Sequence, residues 1–378
     1  MVKLNSMSMK KCIFSFGTLL LFAAVLWSCS EDSDNNLEQD LSLVQLMEVK
    51  ANALTDAVVD ISESKGFEII TVDDDASLKT GDGENDDSRY AMSIMLDDIK
   101  GVYDFKKGVR EQHSTTKYGY LRVFDKVDES ESFILRMPKE KAMRPWKLYV
   151  DEEADYVNDF VIKTNEYHYA YLGGMQFDYL LNSEIEIEDE KAGALSVDWS
   201  ISENMNFDYH SKYTFINDFS VGVEFQRGEM FSYAFNLMKG DDVLFKEAVE
   251  ISKSDDTDKR ELKYFLELGN IKIILSSESD SYLVYRDGVL QEGAKIQVVR
   301  HKYDSHDAHV AFCRKGRDIK ITFEDGTMIE LSELLTEDTL ELMDEIFSAM
   351  YDMKFVKHIV DKVAREVYYT NKATGAVD

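Results

Sequence analysis

The sequence predicts an α+β fold: an N-terminal amphipathic helix, a large, curved antiparallel β-meander sheet and a C-terminal helix pair. Three observations carry this expectation. Apolar residues recur at steps of three and four near both ends of the chain, the period of a helix with one buried face. Between them, β-rich runs alternate with short Gly- and Asp-containing breaks, the punctuation of hairpins. The 378 residues also include only two prolines, Pro138 and Pro145, which suits long strands because proline has no N–H to give to a ladder.

The first helix is expected over Asn35 to Ser64, where Leu37, Leu41, Val44, Met47, Ala51, Leu54, Val58 and Ile61 share one face. Asn35-Asn36-Leu37-Glu38 has the form of a capping box, and Gly66 offers a stop. The stripe fits packing on the protein's own sheet. Phe67 to Val72 has the composition of a strand, and Asp73 to Ser88 is an acidic break expected to be an exposed loop.

From Arg89 to about Leu331 the chain is expected to run strand after strand. Tyr and Phe are dense over Asp159 to Ile187, and Phe219-Ser220-Val221-Gly222-Val223-Glu224-Phe225 alternates as a half-buried strand does. Turns are expected at Lys239-Gly240-Asp241-Asp242, Gly269-Asn270, Asp287-Gly288, Gly316 and Asp325-Gly326. An Asp-Gly pair suits a type I′ turn, where both central residues need positive φ. Tight turns make neighbours antiparallel. A sheet of this length must curl, split or be covered, so residues 37–378 form either one large domain or two β-rich units divided near 150–165. Two amphipathic helices close the chain. Leu340, Met343, Ile346 or Phe347, and Met350 share a face over Thr336 to Met353. Phe355, Ile359, Val363 and Val367 do so over Phe355 to Tyr369, with the intervening charges expected to face solvent and the end frayed from Asn371.

The chain opens differently. Lys3, Lys10 and Lys11 precede an uncharged apolar run, Ile13 to Trp27, and Cys29 is followed at once by Ser30-Glu31-Asp32-Ser33-Asp34. A basic start and a short apolar run form the layout of a secretory signal, and the run is shorter than the roughly 20 apolar residues of a bilayer-spanning helix. Leu26-Trp27-Ser28-Cys29 resembles the lipobox of bacterial lipoproteins, and the acidic run after it resembles the surface-export signal of lipoproteins from the Bacteroidetes. The resemblance covers about the first tenth of the chain. It implies a signal peptide over residues 1–28, lipidation of Cys29 and an acidic tether over residues 29–36. Ser30, rather than Asp, implies the outer membrane under the sorting rule of other Gram-negative lipoproteins. The expected location is therefore the outer membrane, lipid-anchored and facing either the cell surface or the periplasm. Acyl chains contribute about 0.8 kcal/mol per buried CH₂, so two or three hold a domain stably.

Setting aside the three leader lysines leaves 40 of the 43 basic residues against 73 acidic ones, a formal charge of −33. Such a surface repels phosphate backbones, so nucleic acid is not an expected partner. Cys12 leaves with the signal and Cys29 is the lipidation site, so Cys313 stands alone and no disulfide is expected within the mature chain. Stability must then come from packing.

No nucleophile elbow, zinc-protease helix, P-loop or dinucleotide-binding glycine pattern is present, and no cofactor is implied. A hydrolase built on paired carboxylates has no short signature and stays open as an alternative. His301, His306 and His309, with Asp304 and Asp307, supply zinc-type ligands on an expected hairpin of Gln297–His301 against His309–Cys313. Their spacing matches no recognised zinc motif, and a polar turn accounts for them. The acidic loop Asp82–Asp87 lacks the calcium-loop pattern. Tyr167, Tyr169 and Tyr171 lie on one side of a strand, and together with Trp146 they are the candidate ligand-contact aromatics. Such rings stack on sugars, line apolar cavities or pair across strands. The expectation is a membrane-anchored, non-enzymatic binding protein for a glycan, peptide or partner protein. The alternative is a carrier of an apolar ligand between the curved sheet and the helices.

Replacing the lipidation residue, Cys29→Ala, is expected to leave the protein soluble or unprocessed rather than membrane-bound. Fractionation with acyl labelling checks this, and a labelled, detergent-extracted Cys29→Ala protein would contradict the assignment.

Overall fold

Long strands joined by tight turns dominate the chain, as residues with a buried and a wet face require. The computed structural model describes residues 41–70, 91–105, 124–139, 157–173, 176–253, 260–276, 281–300, 317–324, 326–352 and 354–375. Ser42–Asp378 form one compact unit, and residues 1–40 lie outside the described residues. The signal, Cys29, the acidic loop of 73–88, Trp146 and the histidine cluster of 301–309 also lie outside the described residues.

Helix α1 spans Leu43–Ser62. It begins later than the apolar spacing suggests, where Ser42 and Gln45 form a capping box. The Ser42 hydroxyl accepts from the Gln45 N–H at 3.3 Å, and the Gln45 side chain accepts from the Ser42 N–H at 3.0 Å. Its buried face holds Leu46, Met47, Ala51, Leu54, Ala57, Val58 and Ile61. The strand expected from Phe67 is instead a short helix, α2, over Lys65–Ile70. The Ser64 hydroxyl accepts from the Phe67 N–H at 3.2 Å and starts that turn. Gly66 is no stop: a Cβ there would lie 2.7 Å from the Ala192 carbonyl oxygen, so glycine lets α2 approach the sheet.

The main sheet contains β1 (Met92–Met95), β2 (Gly101–Phe105), β3 (Phe124–Asp128), β4 (Phe133–Met137), β5 (Phe160–Gly173), β6 (Gln176–Ile187), β7 (Glu190–Ile201), β8 (Phe207–Phe215), β9 (Phe219–Arg227), β10 (Phe231–Lys239), β11 (Asp242–Lys253), β12 (Arg260–Leu268), β13 (Ile271–Ser276), β14 (Ser281–Arg286) and β15 (Val289–Leu290). From β4 to β15 each strand pairs antiparallel with the next in sequence. Beyond β4 come β2, which is parallel to it, and β3, so the sheet is mixed at that end. The helical turn α3 (Leu96–Ile99) follows β1, which pairs with the far half of β5. A second sheet holds β16 (Lys295–Arg300), β17 (Arg317–Thr322) and β18 (Met328–Glu330). Here β16 pairs with β17; His309–Cys313, the expected partner of Gln297–His301, lies outside the described residues. The apolar alternation of Ile319 and Ile321 opposite Val298 and Ile296 sets that register. Helices α4 (Leu331–Leu334), α5 (Glu337–Asp352) and α6 (Lys354–Thr374) end the chain.

One face of the main sheet is a gradient. Phe133, Thr164, Ser183, Leu195, Tyr213, Val221, Leu237, Phe245, Leu268 and Ile271 lie opposite one another from β4 to β13, and none is more than 6% exposed. The two hydroxyls in this row bond each other, Thr164 to Ser183 at 2.9 Å. Two residues along each strand, or three in β5 where the register shifts after Thr164, runs a second buried row, including Tyr167, Leu181, Val197, Phe235, Leu266 and Ile273. Helix α1 packs on β11 and β12, and α5 packs on β9 and α1. The Phe347 ring of α5 sits 3.5 Å, centroid to centroid, from that of Phe235. A third row, two residues further on, is aromatic and only half-buried.

The turns set the register. Asp287 and Gly288 both have positive φ, 49° and 76°, as a two-residue type I′ turn requires, and they close β14 on β15. Gly326, at φ 84°, lies between β17 and β18, and nothing stands within 4 Å of where its Cβ would be. Gly326→Val is therefore expected to cost about 1–2 kcal/mol through backbone strain alone. Met328→Val on the adjacent strand, where the side chain is exposed, should cost little. Denaturant unfolding of the two variants measures the difference, and equal midpoints would contradict the turn assignment.

Candidate functional site

The third row across the main sheet is Tyr169, Tyr179, Trp199, Tyr209, Phe225 and Tyr233, one residue from each strand of β5 to β10, each directly opposite the next. Side chains two apart on a strand share a face, so Phe177, Phe207 and Phe231 widen the row. The rings touch edge to face or tilted: Phe177 to Trp199 at 4.5 Å, Trp199 to Tyr209 at 6.2 Å, Phe207 to Phe225 at 5.0 Å and Phe225 to Phe231 at 5.2 Å. Such pairs contribute about 0.5–1.5 kcal/mol each beyond area burial. Apart from Tyr179, which is buried, these rings are half-buried.

Helix α6 forms the other wall. Lys357, Asp361 and Arg365 recur every four residues and therefore lie on one face of it, with His358 and Lys362 beside them. Between α6 and the aromatic row lies a groove of about 670 Å³, lined from the sheet by Tyr169, Phe177, Trp199, Phe207, Tyr209 and Phe225, with Ser211, Val223 and Tyr233, and from the helix by these five residues. Small-molecule sites commonly measure about 300–1,000 Å³ and are mostly apolar with a few placed polar groups.

The charged face of α6 was expected to meet water, and the burial of Asp361 corrects this. Its carboxylate, 8% exposed as a residue, accepts from the Tyr167 hydroxyl at 3.1 Å and the Tyr179 hydroxyl at 2.9 Å on one oxygen, and from the Lys357 ammonium at 2.6 Å on the other. Burial, reinforced by the charge of Asp361, pushes both tyrosine pKa values well above the usual tyrosine value, so both hydroxyls keep their protons and donate. The Lys357 ammonium also stands 4.2 Å from the Tyr179 ring centroid, and the Arg365 guanidinium 4.6 Å from that of Tyr169. A cation over an aromatic face is attracted by the ring quadrupole. Further along α6, the Asn371 side chain donates to the Asp98 carbonyl at 2.9 Å and the Tyr369 hydroxyl contacts the Met92 sulfur at 3.2 Å. The end expected to fray is thus tied to α3 and β1.

The candidate aromatics separate. Tyr169 lines the groove; Tyr167 lies beneath it, committed to Asp361; Tyr171 is half-buried on the same strand and is not among the lining residues. Trp199, Phe207, Tyr209, Phe225 and the charges of α6 were not singled out from the sequence. The signal available was the pair spacing Phe207/Tyr209, which needs the strand register to acquire meaning. Among the described residues, the buried indole N–H of Trp199 has no hydrogen-bond partner, no group of three or more His, Cys, Asp or Glu is placed to hold a metal ion, and no helix is long and apolar enough to cross a membrane. Comparison with known protein families, with curated proteins and with solved structures finds no match.

Proposed function

We propose that the chain is a membrane-anchored, non-enzymatic binding protein whose small ligand lies in the groove between the aromatic row and α6. The observation that carries this reading is the continuity of an aromatic row across six neighbouring strands, all but Tyr179 half-buried, facing a wall of polar side chains. A core has no need of five half-exposed rings in one register row, and such aromatic surface has a cost in water unless something covers it. The described carboxylate that lines the groove, Asp361, is held by three donors, which suits a structural role better than that of one of a hydrolase's two working carboxylates. We place the anchor at Cys29, on the lipobox resemblance, and the protein at the outer membrane. A bend of the main sheet around α1, α5 and α6 would bring both ends of the aromatic row toward the ligand. The apolar floor also favours a second reading within the same class, a carrier that shields an apolar body from water.

Phenylnaphthylamine, a neutral aromatic probe that brightens in apolar surroundings, tests the site. The Cys29→Ala chain in detergent-free buffer is expected to bind one equivalent and to show energy transfer from Trp199. Phe225→Glu is expected to weaken binding about tenfold or more, the factor that corresponds to roughly 1.4 kcal/mol, while the loss of its ring contacts with Phe207 and Phe231 lowers the thermal midpoint by a few degrees and leaves unfolding cooperative. Absence of binding, or binding indifferent to Phe225→Glu, would sink the proposal.

A further inference from the structure

We infer that the end of the main sheet formed by the β5–β6, β7–β8 and β9–β10 turns is a lipid-contacting rim, whose Leu172, Met205 and Met230 side chains enter the surface of a zwitterionic bilayer. The inference takes the nearness of a membrane from the anchor reading above and goes beyond it; the rim itself stands on the fold. In an antiparallel meander, alternate hairpins turn at the same end of the sheet. Beyond the aromatic row comes a fourth row, in which Phe177, Ile201, Phe207, Arg227 and Phe231 lie opposite one another, and the turns follow within a few residues. Leu172 stands beside the first turn, 58% exposed; Met205 and Met230 lie in the second and third, 55% and 39% exposed. Apolar surface therefore continues from the half-buried floor of the groove to side chains standing in solvent.

Such surface marks a contact with protein or membrane, and the residue types favour the membrane. Protein hot spots draw on Trp, Tyr and Arg set in packed pockets. Here Leu and Met stand on separate turns two strands apart, about 9–10 Å at the sheet, and unbranched Met adapts to a partner without a fixed shape. The backbone holds Met205 at φ 60°, a conformation disfavoured for a residue with a Cβ, yet its side chain stays out of the core. Ser202, Asn204, Asn206 and Gly228 flank the methionines, small residues suited to headgroup depth. Glu203 and Glu229 are exposed at the same turns. An anionic surface would repel them and a chain of formal charge −30, so the matching surface is zwitterionic. At the opposite end the exposed apolar residues Ile216 and Val289 sit on turns far apart in the strand order, with Asp218 and Asp287. Other turns of that end expose Glu188-Asp189 and Asp241-Asp242.

Co-sedimentation with phosphatidylcholine vesicles tests the rim. The chain from Ser30 onward has neither signal nor lipid and keeps the whole compact unit of Ser42–Asp378; it is expected to sediment with the vesicles at millimolar lipid. Leu172→Asn/Met205→Asn/Met230→Asn is expected to lower its partition about a hundredfold, since each side chain withdraws apolar area from water. Asparagine also tolerates the positive φ of Met205. Phenylnaphthylamine should still bind this variant in lipid-free buffer, because none of the three is among the described lining residues of the groove, and its binding certifies the fold. Should the triple variant fold poorly, Met205→Asn alone decides, with an expected loss of about fivefold. Ile216→Asn, at the opposite end, should change partition by less than about twofold. A parent chain that stays in the supernatant, a triple variant that sediments like the parent, or an Ile216→Asn loss as large as the triple's overturns the inference and leaves the groove reading standing. Failure of the parent to bind phenylnaphthylamine removes the groove reading, while sedimentation still decides the rim.

Discussion

The carboxylate of Asp361 is the point on which the site depends. It lies on α6, near the C-terminus, yet its partners Tyr167 and Tyr179 come from β5 and β6, 194 and 182 residues away in sequence. An unpaired carboxylate is expensive to bury, so α6 settles where those hydroxyls and Lys357 can surround it. Hydrogen bonds to a charged group contribute about 1.5–3 kcal/mol each, and directional bonds fix rotation about the helix axis in a way that apolar contact does not. Once Asp361 is placed, the four-residue spacing carries Arg365 over Tyr169 and Lys357 over Tyr179. The polar wall of the groove follows from that one anchoring.

The sheet supplies the other half by a change in residue type along its strands. The row through Val221, Leu237 and Phe245 is buried and dry, covered by α1 and α5. Two rows further along, the same face turns to Trp199, Tyr209 and Phe225, whose rings remain half-buried. Tyr and Trp suit such a border because each combines an apolar body with a polar handle. Core and candidate site are therefore continuous, and the rigidity of the packed rows is what holds the aromatic row in register. An interior at crystal-like density transmits that constraint with little slack.

Much of this was legible in the sequence, and the limits have physical causes. Gly240, Gly269, Gly288 and Gly326 all occupy positive-φ positions at expected turns, since glycine there advertises a conformation other residues avoid. The turn at Glu188-Asp189 was not legible: both residues adopt positive φ, 54° and 62°, without a glycine to mark them. Phe67 looked like part of a strand because a short apolar run has no period of its own to distinguish helix from strand. The site suffered most. Lys357, Asp361 and Arg365 have the spacing of an exposed ion-paired stripe, and only the position of two distant tyrosines makes Asp361 a buried anchor. Aromatic residues two apart were visible on single strands, but a row across six of them exists only once every turn length is known.

That α6 is pinned by Asp361 to Tyr167 and Tyr179 is open to direct measurement by equilibrium unfolding of Asp361→Ala, of Tyr167→Phe/Tyr179→Phe, and of all three changes together. Loss of the carboxylate strands two buried hydroxyls and an ammonium, and should cost about 3–5 kcal/mol. Removing the hydroxyls as well should relieve part of that penalty, so the combined variant should be more stable than the sum of the separate losses by about 1 kcal/mol or more. Strictly additive losses, or an Asp361→Ala protein within about 0.5 kcal/mol of the parent, would show that the helix is held by something else and that the groove does not depend on this carboxylate.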